Sequence, residues 1–157
     1  MAFSIAKQPD GARLILQIVG GVDEDANFQQ VDTAAYKKVV LDLAGITGIN
    51  SVGIREWMKW IKTFNSDIQF TIRRCPKIIV DQINMVAGFL PPKATIESFF
   101  VPYYSDASGS EKMILFENGK EFDAGDVKPP EDVKDESGET MEMDIIETKY
   151  FKFLKHG

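Results

Sequence analysis

Few residues of this chain could support catalysis. Its single cysteine, Cys75, follows Arg74, whose charge could lower a thiol pKa, but a lone cysteine at a strand end is usually a core side chain. His156 is the only histidine, and the spacing of Asp42 and Asp67 gives no reason to expect a pair. No nucleotide-binding glycine loop, zinc-protease helix or nucleophile elbow is present. The sequence therefore predicts a protein that is not an enzyme and uses no cofactor.

One serine is better placed for recognition than for catalysis. Residues 38–57, KVVLDLAGITGINSVGIREW, predict a buried strand, a short loop and a helix with Ser51 at its N-cap. The hydroxyl would accept a first-turn N–H and stabilise the helix by about 1 kcal/mol. An added phosphate would bring a charge of about −2 to the positive end of the helix dipole, changing binding more than folding. Ser51 is thus a candidate for phosphorylation or docking, and capping alone is the alternative.

The helix predicted over residues 52–64 is amphipathic, with apolar side chains at helical spacing. Trp57 lies within the apolar face and is predicted to be core. Trp60 lies at the margin of that face, where it either covers the edge of the sheet or anchors an interface. Such an interface would have a basic rim suited to an acidic partner, formed by Arg55, Lys59 and Lys62.

The surrounding elements predict an α/β fold. An N-terminal hairpin followed by strand, helix, strand, helix and strand gives a mixed β-sheet with helices packed on it. The predicted strands are 3–6, 13–19, 39–43, 68–72 and 95–101, and the predicted helices are 28–35, 52–64 and 77–87. Residues 1–102 would form this domain, and residues 103–157 a small, mainly β extension.

Residues 3 to about 101 resemble a STAS domain, the fold of bacterial anti-sigma factor antagonists and of the cytoplasmic ends of sulfate transporters. The segment LDLAGITGINSVGI is similar to the family motif, DLSGV followed by DSSGL. In the antagonists a partner kinase phosphorylates the first serine of DSSG, and Ser51 matches it. Val52 takes the second serine position, Gly53 matches the glycine, and Asn50 replaces the aspartate that helps the kinase to recognise its substrate.

The resemblance implies a bacterial, cytoplasmic module for signalling or scaffolding. Its partner would be a serine kinase, an anti-sigma factor, a transporter subunit or a second copy. The expected partner-binding residues are Asn50, Ser51, Val52, Gly53, Arg55, Lys59 and Trp60. Because some STAS domains resemble nucleotide or lipid binders, a sensor of a small anionic ligand is the alternative.

The extension resembles a zinc ribbon that has lost its cysteines. The positions of the lost ligands are Ser105, Ser108, Lys134 and Ser137, and Gly109 and Gly138 follow the two pairs. Hydroxyl and ammonium groups cannot replace thiolates, so no structural metal is predicted. An ordinary acidic hairpin with a disordered connection over 123–139 is the alternative. A further interpretation makes this acidic extension the working part, and the apolar residues 150–154 are expected to pack onto the body.

Charge and hydropathy exclude other classes of function. Residues 105–157 contain 14 acidic and 7 basic side chains, so they carry all of the net charge of −6. Nucleic-acid binding needs a basic footprint, which neither half provides. No apolar run is long enough for a membrane span, and no export signal is evident. Together with the single cysteine, these features predict a cytoplasmic protein.

Overall fold

A five-stranded sheet with two helices forms the first part of the fold in the computed structural model, which describes residues 2–28, 31, 33, 35–64, 67–91 and 93–155. Its strands are β1 Ser4–Asp10, β2 Arg13–Val22, β3 Lys38–Ile49, β4 Gln69–Arg73 and β5 Thr95–Ile96. Helix α1, Ser51–Ile61, follows β3, and helix α2, Lys77–Met85, follows β4.

The strands of this sheet lie side by side in sequence order. β1 and β2 are antiparallel, and every other neighbouring pair is parallel. Parallel neighbours require a crossover connection, and α1 and α2 provide those that flank β4. Residues 39–43 of β3, VVLDL, are all buried, as expected for a central strand covered on both faces. The predicted α/β class with a mixed sheet is therefore confirmed.

β3 is longer than the sequence predicts. Residues 44–49 are expected to form a loop, but they pair with the end of β2, from Val19 opposite Gly45 to Val22 opposite Ile49. Two register shifts accommodate this pairing, since a bulge lets a strand continue despite an irregular spacing of side chains. The strand thus delivers the chain directly to the start of α1.

The helices of this fold are short. α1 has 11 residues and α2 has nine. Within the described ranges, no helix is both long and apolar enough to cross a membrane. The short helix predicted over 28–35 includes positions 29, 30, 32 and 34, which lie outside the described residues, as does His156.

The rest of the chain builds a second sheet and a closing helix. Its elements are β6 Ser98–Tyr104, β7 Glu111–Glu117, β8 Phe122–Asp123, β9 Asp126–Val127, β10 Glu142–Met143, α3 Glu147–Tyr150 and a 3-10 turn, Phe151–Lys155. β10, β6 and β7 form an antiparallel sheet in that order. The strand predicted over 95–101 is therefore divided between the two sheets, and the predicted boundary after residue 102 lies inside β6.

Phe99 on β6 joins the two parts of the chain. Its ring is fully buried, and the rings of Phe116, Phe122 and Phe153 lie 5.6, 5.1 and 5.1 Å from it. The Cys75 N–H donates to the Ser98 carbonyl of β6, and the Cys75 carbonyl accepts the Phe100 N–H. The Phe99 ring therefore lies where the second sheet meets the first. A single core therefore extends through both parts.

The end of the described chain packs onto the body, as its apolar residues predict. The Tyr150 hydroxyl donates to the Phe100 carbonyl at 2.6 Å. The Asn84 side chain on α2 donates to the Tyr150 carbonyl at 2.9 Å. Phe151 and Phe153 are buried beside them. Two directional bonds thus fix this segment in addition to its apolar contacts.

We predict that Phe99→Ala lowers the free energy of unfolding by about 3–5 kcal/mol, because it removes a ring enclosed by both parts of the core. Phe100→Ala is the matched control, since its side chain lies on the other face of β6 and is only partly buried. Chemical denaturation of both variants measures the difference. Equal costs for the two substitutions would contradict the shared core.

Candidate interaction site at the start of helix α1

Asn50, rather than Ser51, caps helix α1. Its backbone is extended (φ −116°, ψ 179°), and its side-chain carbonyl accepts the Gly53 N–H at 2.8 Å. The Asn50 N–H donates to the Val22 carbonyl at 3.2 Å, which holds the residue at the end of the β2–β3 ladder. The predicted N-cap is therefore wrong by one residue. Ser51 is the first helical residue, and its side chain is exposed.

The Asn50 amide also connects the cap to the turn after β2. Its Nδ2 donates to Glu24 Oε2 at 3.2 Å while its Oδ1 accepts from the helix. The amide can make both bonds, whereas an ionised aspartate has no proton to donate to Glu24. An aspartate here would also place two carboxylates together. The turn thus gives a physical reason for asparagine at this position.

Gly53 is buried against the chain's own backbone. A Cβ built there would lie 1.8 Å from the Val22 carbonyl oxygen and 2.5 Å from its carbon. The absence of a side chain therefore allows α1 to approach β2, as glycine does where backbones meet closely. Gly53 is not available to a partner, contrary to its predicted role in binding.

Trp60 is also a core residue rather than an exposed anchor. Only 5% of it is exposed, and its ring stacks on Phe28 with centroids 4.7 Å apart. Trp57 is fully buried, as predicted, and its indole N–H donates to the Phe89 carbonyl at 2.8 Å. Phe28 is the first residue of the helix predicted over 28–35, and that prediction gives no signal that Phe28 would cover Trp60.

The predicted residues that remain exposed form one surface, which we call the α1 stripe: Asn50, Ser51, Arg55, Lys59 and Lys62. Ser51, Arg55 and Lys59 are four residues apart, so they share one face of the helix. Lys59 has an exposed ion pair with Glu56 at 3.6 Å, which contributes little to stability. Val52 is half-buried beside the stripe. The stripe presents a hydroxyl followed by cations.

An ion pair that the sequence does not predict joins a buried carboxylate on β3 to an exposed arginine after β4. Asp42 on β3 has only 7% of its side chain exposed, and Arg74 Nη2 approaches its Oδ2 to 2.5 Å. This hydrogen bond raises the pKa of Arg74. Arg74 has a left-handed backbone (φ 49°), and its N–H donates to Ser98 Oγ. Asp42 within the apolar run VVLDL was the sequence signal for this ion pair, because a buried carboxylate needs a partner.

Cys75 has the setting of a core thiol. It is fully buried at the end of β4, and this burial raises its thiol pKa. The thiol is therefore protonated at neutral pH and is a poor nucleophile. Its backbone, rather than its sulfur, connects the two sheets.

The predicted positions of the lost zinc ligands lie in two turns that meet. Ser105 Oγ accepts the Ser108 N–H at 3.4 Å, and the Ser108 hydroxyl donates to Asp135. The Asp135 carboxylate also accepts the N–H groups of Ser137 and Glu139, at 2.8 and 2.9 Å. Lys134, beside Asp135, pairs with Thr140. The connection that would be disordered in the alternative interpretation thus contains β9 and this hydrogen-bonded turn.

A hydrogen bond between side chains therefore links the two turns. Gly109 and Gly138, which follow them, have φ values of 72° and 81°, a backbone conformation that favours glycine. Within the part of the chain that the structure describes, no group of three or more His, Cys, Asp or Glu residues could hold a metal ion.

Comparison of the chain with models of known protein families gives no match, and comparison with curated proteins gives none either. Its function must therefore be inferred from its own residues and their arrangement.

We predict that Gly53→Ala lowers the free energy of unfolding by more than about 2 kcal/mol, because the new methyl group overlaps the Val22 carbonyl. Gly48→Ala is the control, since a Cβ there meets nothing within 4 Å, and its effect should be within about 0.5 kcal/mol. Thermal or chemical unfolding measures both. A well-tolerated Gly53→Ala would contradict the close approach of α1 and β2.

We predict that Asn50→Asp lowers the free energy of unfolding by about 0.5–1 kcal/mol, because the new carboxylate would face that of Glu24. The loss would not come from the cap itself, since aspartate is as good an N-cap as asparagine. Glu24→Gln alone should be nearly neutral, and combined with Asn50→Asp it should recover most of the loss. A double-mutant cycle measures this coupling. Strictly additive effects would show that residues 24 and 50 do not interact.

We predict a pH dependence from Asp135, whose pKa is lowered from its ordinary value of 3.8 mainly because the Ser108 hydroxyl donates to it. A lowered folded pKa stabilises the fold above the unfolded value, and this contribution is lost as the pH falls below about 3.8. An NMR titration of the Asp135 carboxyl should show the low pKa and its return toward the ordinary value in Ser108→Ala. The same Asp135 pKa in the wild type and in Ser108→Ala would contradict the hydrogen bond that links the two turns.

Proposed function

We propose that this chain is a non-enzymatic binding module of the STAS type that acts in bacterial signalling or scaffolding through protein–protein contacts at the α1 stripe. One observation carries the proposal. Ser51, Arg55 and Lys59 are all exposed on one face of a helix whose position is fixed by its cap and by Gly53. The order of elements, a hairpin followed by strand, helix, strand, helix and strand, supports the resemblance on which the family assignment depends.

The chemistry of the stripe favours an acidic partner. Arg55, Lys59 and Lys62 give it a positive charge, and Lys59 has an exposed ion pair with Glu56. Charge of one sign on an exposed surface steers partners of the opposite sign and increases the rate of association. An acidic face of another protein would complement this surface.

Ser51 is the residue at which modification would regulate the contact. Its exposed hydroxyl lies at the first helical position, where a phosphate would not disturb the core. A charge of about −2 there would oppose the cations of the stripe and repel an acidic partner. Glu24, bonded to the adjacent Asn50, adds to this repulsion. Phosphorylation would therefore release the partner.

The alternative, a sensor of a nucleotide, lipid or other small anion, has less support at this helix end. The Asn50 side chain already accepts the Gly53 N–H, so it occupies a position that an anion would need. The nearby Glu24 carboxylate repels a second negative group. A thermal-shift screen with nucleotides tests this alternative, because a rise of several degrees would favour the sensor.

The proposal of a non-enzymatic, cytoplasmic module has two further supports. The Cys75 thiol is sealed in the core and protonated, so it is unsuited to nucleophilic attack. Burial of a free thiol is also compatible with a reducing compartment.

We predict that Ser51→Asp and Arg55→Glu each remove at least one partner from affinity capture in the native cell without lowering the melting temperature. Two exposed positions elsewhere provide controls, Ser4→Asp on β1 and Lys152→Glu in the final turn. Quantitative mass spectrometry compares the captured proteins and reports phosphate on Ser51. A partner list that is the same for all five proteins would count against the α1 stripe as the binding surface.

A further inference from the structure

The sheet formed by β10, β6 and β7 has a second face that turns away from the core. Along β6 the buried side chains are Phe99, Val101 and Tyr103, and the residues between them lie on the opposite face. In β7 the partners of those alternate residues are Leu115, opposite Phe100, and Met113, opposite Pro102. Paired residues of an antiparallel sheet share a face, so these four side chains are neighbours.

This outer face is apolar and open. Met113 is 48% exposed, and Phe100 and Leu115 are partly exposed. Singly exposed apolar residues are ordinary, but a contiguous group on a flat sheet is typical of an interaction surface. We call Phe100, Pro102, Met113 and Leu115 the outer apolar face.

A group of carboxylates borders one end of the outer apolar face. Tyr104 continues the row of β6, and its paired neighbours are Glu111 on β7 and Glu142 on β10. Asp106, Glu142 and Asp144 raise the pKa of the Tyr104 hydroxyl by their charge, which indicates a concentrated negative potential. The structure gives none of these four carboxylates an ion pair within the described residues. This negative charge is available to a partner.

We propose that the outer apolar face binds a basic amphipathic segment of another protein. Apolar side chains of the segment contact Phe100, Met113 and Leu115, and its lysine or arginine side chains pair with the adjacent carboxylates. Charge complementarity selects this occupant, because phosphate backbones and acidic segments are repelled at the same border. A second copy of the chain fits less well, since its α1 stripe offers cations without exposed large apolar side chains. This surface is separate from the α1 stripe and opposite in charge.

The test uses the full chain and two labelled peptides, an amphipathic helix of lysine and leucine and its counterpart of glutamate and leucine. Fluorescence anisotropy should show binding of the lysine peptide alone, weakening as salt increases. Met113→Asn should weaken binding about tenfold, because it removes an exposed contact at the centre of the face. Met85→Asn is the matched control, since Met85 is 71% exposed on α2, and it should leave the affinity unchanged.

Any of four results would overturn the proposal. Equal losses of affinity in Met113→Asn and Met85→Asn would show that the outer apolar face is not the binding surface. No loss in either variant would show that the peptide binds by charge alone. Binding of the glutamate peptide would show that the bordering carboxylates do not select a basic segment. A wild-type dimer in sedimentation that Met113→Asn dissociates would assign the face to a second copy. Arg55→Glu should leave peptide binding unchanged, so the proposals for the α1 stripe and for the outer apolar face are tested independently.

Discussion

The carbonyl group of Val22 fixes the start of helix α1, and the candidate site depends on that position. It accepts the Asn50 N–H, which ends the β2–β3 pairing, and it occupies the space that a side chain at Gly53 would need. One backbone group therefore sets both the residue at which α1 begins and the distance between α1 and the sheet. The exposed face of α1 follows from this geometry, because Trp57 and Trp60 must then turn inward toward Phe28 and Phe89.

The sequence predicts the architecture better than the details of the site. Alternation in the hairpin, the run VVLDL and the spacing of Ile54, Trp57 and Ile61 report local periodicity, so the first three strands and α1 were predictable. Asn50 and Ser51 are equally good caps by propensity, and only the bond to Val22 chooses between them. Such a choice depends on residues far apart along the chain, which local patterns do not report.

The same reason explains the other differences. Trp60 is covered by Phe28, a contact between residues far apart along the chain, and residues 95–101 are predicted as one strand although two sheets share them. The composition also does not show that charges of opposite sign lie on two different surfaces. Cations line one face of α1, whereas carboxylates border the outer face of the second sheet. The net charge of −6 describes neither surface, and two partners of opposite charge could occupy the protein at once.

The bond from Tyr150 to Phe100 has a consequence for the kinetics of folding. It joins positions 50 apart, and closing so long a loop costs entropy before any contact repays it. Pairs in the first sheet are closer along the chain, so we expect this sheet and α1 to form first, and the flank beside Phe99 to stay open until Phe151 and Phe153 pack. During that interval the ring of Phe99 would be exposed to water. Aggregation during refolding is therefore a hazard at this flank, and it grows with protein concentration.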